Sequence, residues 1–191
     1  MLINEGGLIR AIKRAYKAGG YTVLNTGNDV AIYTDHWFAM ANRALLPRKV
    51  LATIVEHMGM IPERDMTTSI IKDTEPQLVL RETAADDMDH WRGEEVTMVP
   101  VIMQGFQIYQ PPGGGACWGV PLYLVDMIER DPAEHIGADV IDKDRLLWEA
   151  DGEAVVINAV RKACSGWAKE WERAVWNALE GVDLHKEEAG R

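Results

Sequence analysis

Residues 21–34, with the sequence YTVLNTGNDVAIYT, carry the clearest strand pattern in the chain. Two runs rich in β-branched and aromatic residues, 21–25 and 29–34, flank Thr26-Gly27-Asn28, where glycine can adopt the positive φ of a tight turn. The pattern predicts a β-hairpin, and a third strand is expected at residues 37–40. We therefore expect an antiparallel sheet to begin near the start of the chain.

Helix signals flank these strands on both sides. Residues 8–18 have helical periodicity and stop at Gly19-Gly20, and residues 48–58 form a second short helix that stops at Gly59. In the first helix the apolar residues share one face. The other face is basic, because Arg10, Lys13, Arg14 and Lys17 fall within one narrow arc.

The remaining elements are predicted from turns and periodicity. Strands are expected at 77–81, 96–103, 106–109, 146–150 and 153–157, and helices at 83–91, 121–130 and 159–179. Strands in runs, with helices at the ends and in the middle, favour an α+β fold with a largely antiparallel sheet. The N-terminal helix is basic, the second is short and the C-terminal helix is long and amphipathic. A length of 191 residues suits a single domain over residues 1–191.

Charge is unevenly distributed along the chain, whose formal net charge is −10. Residues 1–60 carry seven bases and four acids, whereas residues 61–100 carry four and ten, and residues 126–191 carry nine and sixteen. Residues 96–125 are uncharged. The acidic excess disfavours non-specific wrapping of nucleic acid, but the segregation favours specific contacts with a protein or nucleoprotein.

The chain has two cysteines, Cys117 and Cys164, which argues against a disulfide scaffold and fits a reducing compartment. Residues 1–10 lack the apolar core of a signal peptide. Four prolines interrupt the uncharged stretch 96–125, so it is not expected to span a membrane. These features predict a cytoplasmic protein with no membrane contact.

Cys117 is the strongest candidate for a catalytic residue. It follows the glycine-rich loop of QPPGGGACWG, and a thiol at a helix N-terminus would be activated as a nucleophile. With Gln110 before it and Trp118 after it, the segment resembles the surroundings of the nucleophile in papain-like cysteine peptidases. The resemblance implies a histidine base, for which His135 and His185 are available. The alternative is a loop with a small buried thiol.

Metal and phosphate sites have weaker signals. Asp86 and His90 would share a helix face, but no further ligands follow at a recognisable spacing, so no metal site is predicted. The triple glycine at 113–115 lacks the neighbours of a phosphate-binding loop, and no cofactor is expected. An acidic, solvated helix face is the alternative account of Asp86 and its neighbours.

Two features indicate surfaces for partners. The basic face of the first helix could contact nucleic-acid phosphates or an acidic protein, although exposed helices commonly carry such charges. On the last predicted helix, Trp167 and Trp171 lie on the apolar stripe, whereas Trp176 falls on the polar face. An exposed Trp176 would indicate a homodimer or partner contact; the alternative is burial under another element of the chain.

The segments AIKRAYKAGGYTVLNTGNDVAIYTD and LPRKVLATIVEHMGMIPE resemble small proteins carried by phages and conjugative elements of Gram-positive gut bacteria. Anti-CRISPR proteins occur in such neighbourhoods and are often small, acidic and non-enzymatic. The resemblance implies binding to an RNA-guided nuclease through acidic faces. The residues that would carry this contact are Asp86, Asp87, Asp89, Glu94, Glu95, Asp139, Asp142 and Asp144.

The sequence therefore supports three hypotheses. The first is a non-enzymatic protein of a phage or mobile element that inhibits host nucleic-acid-handling defence machinery. The second is a cysteine hydrolase with Cys117 as its nucleophile and His135 as its base. The third is a nucleic-acid binder that uses the basic first helix.

Overall fold

The computed structural model describes residues 1–71, 93–129, 137–142, 144–163, 166 and 168–186. This part of the chain forms a ten-stranded sheet and four helices, so the predicted α+β class is confirmed. The helices are α1 (Glu5–Ala18), α2 (Arg48–Met58), α3 (Leu122–Val125) and α4 (Glu170–Glu180). Among the described residues, no helix has the length and apolar character needed to cross a membrane.

The strands pair antiparallel throughout, which confirms the predicted sheet type. Their order across the sheet is β4-β1-β2-β3-β10-β9-β8-β5-β6-β7. They are β1 (Gly20–Asn25), β2 (Asp29–Tyr33), β3 (Trp37–Asn42), β4 (Met66–Ile71), β5 (Glu95–Met103), β6 (Phe106–Gln110), β7 (Trp118–Pro121), β8 (Ala138–Asp142), β9 (Arg145–Ala150) and β10 (Glu153–Asn158). The hairpins predicted at Gly27, Gly105 and Gly152 are all present, and each of these glycines has positive φ.

Strand β7, at one edge of the sheet, also pairs with the segment that follows β10. Gly119 in β7 and Val160 exchange two backbone hydrogen bonds of 2.9 Å. A register shift in β5 between Met98 and Ile102 bends that strand. The backbone that follows β10 therefore pairs with the strand at the far edge of the sheet.

The core lies on both faces of the sheet. On one face, α1, α2 and α3 cover a cluster that contains Ile12, Ile32, Ile54 and Trp148, all at most 1% exposed. On the other face, alternate residues of β2, β3, β9 and β10 form a second cluster. A third cluster lies where α4 packs on β5, β6 and β7.

Two predicted helices differ from the observed ones. Of the C-terminal helix predicted over 159–179, the described residues are helical only in Glu170–Glu180, and Val160 is hydrogen-bonded to β7 instead. The helix predicted over 121–130 is limited to Leu122–Val125. Strands β4, β7 and β8 were not predicted. The strand and helix predicted at 77–81 and 83–91 lie outside the described residues.

Candidate functional site

Cys117 does not stand at a helix N-terminus, so that prediction is wrong. The residue directly precedes β7, and α3 begins only after Pro121. Its side chain is 0% exposed and packs with Val99, Ile108 and Trp176 beneath α4. The helix dipole that was expected to stabilise a thiolate is therefore absent from this position.

The surroundings of Cys117 favour the protonated thiol. Burial, together with the Glu180 carboxylate, raises the pKa of Cys117 to about 11, and the Gln110 hydrogen bond and Arg161 charge oppose this only in part. A Glu180 carboxylate oxygen accepts the Cys117 backbone N–H at 3.1 Å, while the thiol faces the Gly115 carbonyl oxygen at 3.7 Å. The site lacks the electropositive character of an activated cysteine.

Gln110 does contact Cys117, as the peptidase resemblance implied, but its other bonds indicate a structural role. Its Nε2 lies 3.5 Å from the Cys117 sulfur and donates to the carbonyl oxygens of Gly115 at 3.1 Å and Val182 at 2.9 Å. Its Oε1 accepts the Leu184 N–H at 2.9 Å. The buried amide therefore joins the glycine-rich loop to the segment that follows α4.

The two candidate bases are not placed as partners of the thiol. His135 lies outside the described residues. The Nε2 of His185 donates to the Gln110 carbonyl oxygen at 3.0 Å and lies 3.3 Å from the Thr97 hydroxyl. His185 therefore helps to fasten the C-terminal segment to β5 and β6.

Alkylation kinetics test this account of Cys117. A thiol with a pKa of about 11 is roughly one part in a thousand thiolate at pH 8, and burial also restricts access to the sulfur. We expect iodoacetamide to label Cys117 at least about a hundredfold more slowly in the native protein than in the urea-unfolded chain, as followed by peptide mass spectrometry. Equal rates in the two states would contradict this account and restore the nucleophile hypothesis.

For the tryptophans of α4, the prediction that Trp171 is in the core is wrong, and the alternative given for Trp176, burial under another element of the chain, is confirmed. Trp176 is 0% exposed, whereas Trp171, assigned to the core from the sequence, is 56% exposed. A Cβ on Gly119 would lie 2.6 Å from the Trp176 ring, so glycine at this position of β7 makes room for the indole. Trp176 is thus covered within its own chain and is not an exposed partner contact. Trp167 lies outside the described residues.

Part of the predicted acidic cluster is brought together by the sheet. Glu95 of β5 stands directly opposite Asp139 of β8. With Glu149 and Asp151 of the β9–β10 hairpin, these two line a concavity of about 390 Å³. We call Glu95, Asp139, Glu149 and Asp151 the acidic surface.

The other predicted carboxylates do not join this surface in the described part of the chain. Glu94 and Asp144 are exposed but do not line the concavity. Asp86, Asp87 and Asp89 lie outside the described residues, and the side chain of Asp142 is also outside them. Within the described residues, no group of three or more His, Cys, Asp or Glu side chains could hold a metal ion.

Glu149 and Asp151 were missed from the sequence, although strand alternation carried the signal. Glu149 lies two residues after Leu147, so both side chains point to the same face of β9. Leu147 pairs with Asp139, which places Asp139 and Glu149 on one face. The pairing of β8 with β9 was needed to see this, and β8 was not predicted.

The predicted basic face of α1 points to solvent. Arg10, Lys13, Arg14 and Lys17 are all exposed. Arg10 forms an exposed ion pair with Asp126 at 3.3 Å, and the Arg14 guanidinium lies 4.1 Å from the centre of the Tyr123 ring. Contact of this face with nucleic acid stays a prediction.

The chain is similar to a solved structure of a DNA polymerase III beta-like protein from Eubacterium rectale. The match has 10% sequence identity and a TM-score of 0.35, and it covers 91% of this chain and 67% of that one. A likeness at this level assigns neither fold nor function. No family model and no curated protein match the sequence.

Proposed function

We propose that the protein is a non-enzymatic binding protein of a phage or mobile element that inhibits host nucleic-acid-handling machinery, with an RNA-guided CRISPR nuclease as its target. The observation that carries the proposal is the acidic surface, in which four carboxylates line one concavity. Nucleases of this class hold nucleic acid in channels lined with Arg and Lys. A concave cluster of carboxylates is complementary in charge to such a channel.

A basic partner would relieve repulsion between carboxylates of the acidic surface. Glu95 and Asp139 are a cross-strand pair of like charge, an arrangement that costs stability in an isolated sheet. Guanidinium or ammonium groups placed between the two carboxylates would remove that repulsion. Charge complementarity of this kind speeds association and weakens as salt screens it.

The state of Cys117 also supports a binding role over hydrolysis. Its thiol is buried and has a raised pKa, and the neighbouring carboxylate of Glu180 disfavours a thiolate. The hydrogen bonds of Gln110 and His185 are used to hold the C-terminal segment. Packing and hydrogen bonding within the fold therefore account for the positions of Cys117, Gln110 and His185.

A plasmid-interference assay tests the function directly. Cells with an active CRISPR nuclease and a matching target plasmid are transformed with or without a gene for this protein. We expect the protein to restore plasmid retention, and the purified protein to block target cleavage less effectively as salt is raised. Unchanged interference by the CRISPR nucleases tested would contradict the proposed target.

A further inference from the structure

A cavity of about 250 Å³ lies at a different part of the sheet from the acidic surface. It is bounded by the second half of α1, the start of β1, the turn between β2 and β3, and the end of β4. The acidic surface belongs to β5, β8 and the β9–β10 hairpin. The cavity is therefore a separate feature of the molecule.

Small residues on α1 leave this space open. Ala11, Ala15 and Ala18 line it at helical spacing, and Gly19 follows where the helix ends. A Cβ added to Gly19 would meet nothing within 4 Å. Longer side chains at these positions would reduce the volume, so the alanine face of α1 helps to keep the cavity open.

Three aromatic residues on the helix-covered side of the sheet contribute walls to the cavity. Tyr21 and Trp37 are each 3% exposed, and Tyr123 of α3 is the third. The Tyr21 hydroxyl lies 3.0 Å from Nδ1 of His57, which fixes that ring. Polar residues share the lining with the aromatic ones, since Thr22 and Thr34 also border the cavity. A preformed cavity that combines aromatic walls with convergent polar groups is typical of small-molecule sites, and this volume limits the occupant to a small one.

Arg14 supplies a pre-oriented cation at the cavity. Its guanidinium packs on the Tyr123 ring at 4.1 Å, and among the described residues no carboxylate pairs with it. Arg10, one turn earlier, differs because Asp126 already neutralises it. A stacked guanidinium keeps its planar set of donors available for a carboxylate or phosphate.

The β2–β3 turn contributes the other titratable groups that line the cavity, Asp35 and His36. Their side chains are exposed at the rim. Asp35 would repel an anion placed next to it but would accept a hydrogen bond from an amino group or ring N–H. The lining therefore suits a ligand that carries one anionic group for Arg14 and an N–H donor for Asp35.

From these features we infer that the cavity binds a small aromatic anion: a planar ring that carries an amino group and one carboxylate or phosphate. The ring lies between the aromatic walls and the anionic group pairs with Arg14. An aminobenzoate and a purine nucleoside monophosphate share this chemistry. The inference does not depend on the proposed function, because the two sites have no residue in common.

Isothermal titration calorimetry with two matched pairs of probes tests the inference. The pairs are 4-aminobenzoate with 4-aminobenzamide, and adenosine monophosphate with adenosine. We expect at least one anion to bind the full-length protein, and its neutral partner to bind about tenfold or more weakly, because a charge-assisted hydrogen bond to Arg14 is lost. The pair that binds identifies the source of the anion. Binding of neither anion, or equal binding within both pairs, would overturn the inference.

Variants of α1 locate the bound anion. Arg14→Met keeps an unbranched side chain beside Tyr123 but removes the guanidinium charge, so we expect binding to fall about tenfold or more. Ala18→Leu places a larger side chain at the exposed edge of the cavity and should also weaken binding. Lys13→Met is the matched control, because Lys13 is exposed on the same helix and does not line the cavity. Equal losses in Arg14→Met and Lys13→Met would overturn the assignment of the site.

Discussion

Replacing Trp176 by alanine should lower the free energy of unfolding by about 3 kcal/mol, as measured by urea denaturation. The indole projects from α4, is completely buried and packs against Gly119 of β7. Truncation would leave a large cavity in the cluster that holds α4 on the sheet. The buried Nε1 donates no hydrogen bond to any described residue, so its removal partly offsets the lost packing.

Two further variants make this prediction specific. Trp171→Ala, five residues earlier on the same helix, should cost less than about 1 kcal/mol, because Trp171 is 56% exposed. Trp176→Phe keeps most of the apolar volume, removes the unbonded N–H and should lie between the two. A larger loss in Trp171→Ala than in Trp176→Ala would mean that α4 packs through the stripe predicted from sequence.

Replacing Gly7 by alanine should destabilise the protein by about 3 kcal/mol or more. A Cβ at Gly7 would lie 1.6 Å from the Asp126 carbonyl oxygen and 2.8 Å from the Met127 nitrogen, so α1 would have to move away from that backbone. The movement would strain the hydrogen bond from the Asn4 N–H to the Met127 carbonyl oxygen and the antiparallel β-bridge between Ile3 and Ile128.

Gly6 provides the matched control for this substitution. It precedes Gly7 on α1, it is exposed, and the nearest atom to an added Cβ is 3.4 Å away on the flexible Arg10 side chain. Gly6→Ala should therefore be neutral or raise stability by about 0.4–1 kcal/mol, because alanine lowers the entropy of the unfolded chain. Similar thermal unfolding midpoints for the two variants would contradict the observed approach of α1 to Asp126.

Local signals were sufficient to predict much of the fold. The hairpin at Gly27 and the helix that ends at Gly59 were predicted within one or two residues, because each depends on a periodic run and a glycine with positive φ. The β9–β10 hairpin at Asp151-Gly152 belongs to the same class. Elements fixed by short-range geometry are those that a sequence pattern describes well.

Long-range contacts explain the errors. The buried face of the C-terminal helix was predicted from the periodicity of residues 159–179. Val160 is instead hydrogen-bonded to β7, and among the described residues of this range only Glu170–Glu180 is helical, so the buried face was misassigned. Cys117 was expected before a helix because Pro121 was taken as the start of a long one. Strand β7 ends at that proline instead.

The candidate surface was only partly accessible from the sequence. Glu95 and Asp139 were named individually as acidic residues, but their direct pairing depends on the contact between β5 and β8. The addition of Glu149 and Asp151 depends on the neighbouring hairpin. Charge counts along the chain predicted acidic segments, and the sheet determines which carboxylates meet.

The plasmid-interference assay, repeated with charge-neutralised variants, tests the role of the acidic surface. Glu95→Gln, Asp139→Asn and Asp151→Asn together remove three carboxylates of the acidic surface with little change in shape. The control combines Glu56→Gln, Glu63→Gln and Asp65→Asn, three exposed carboxylates elsewhere that give the same change in net charge. We expect the first variant to lose inhibition of the CRISPR nuclease and the control to retain it. Equal inhibition by the two variants, with both proteins folded, would contradict the role of the acidic surface.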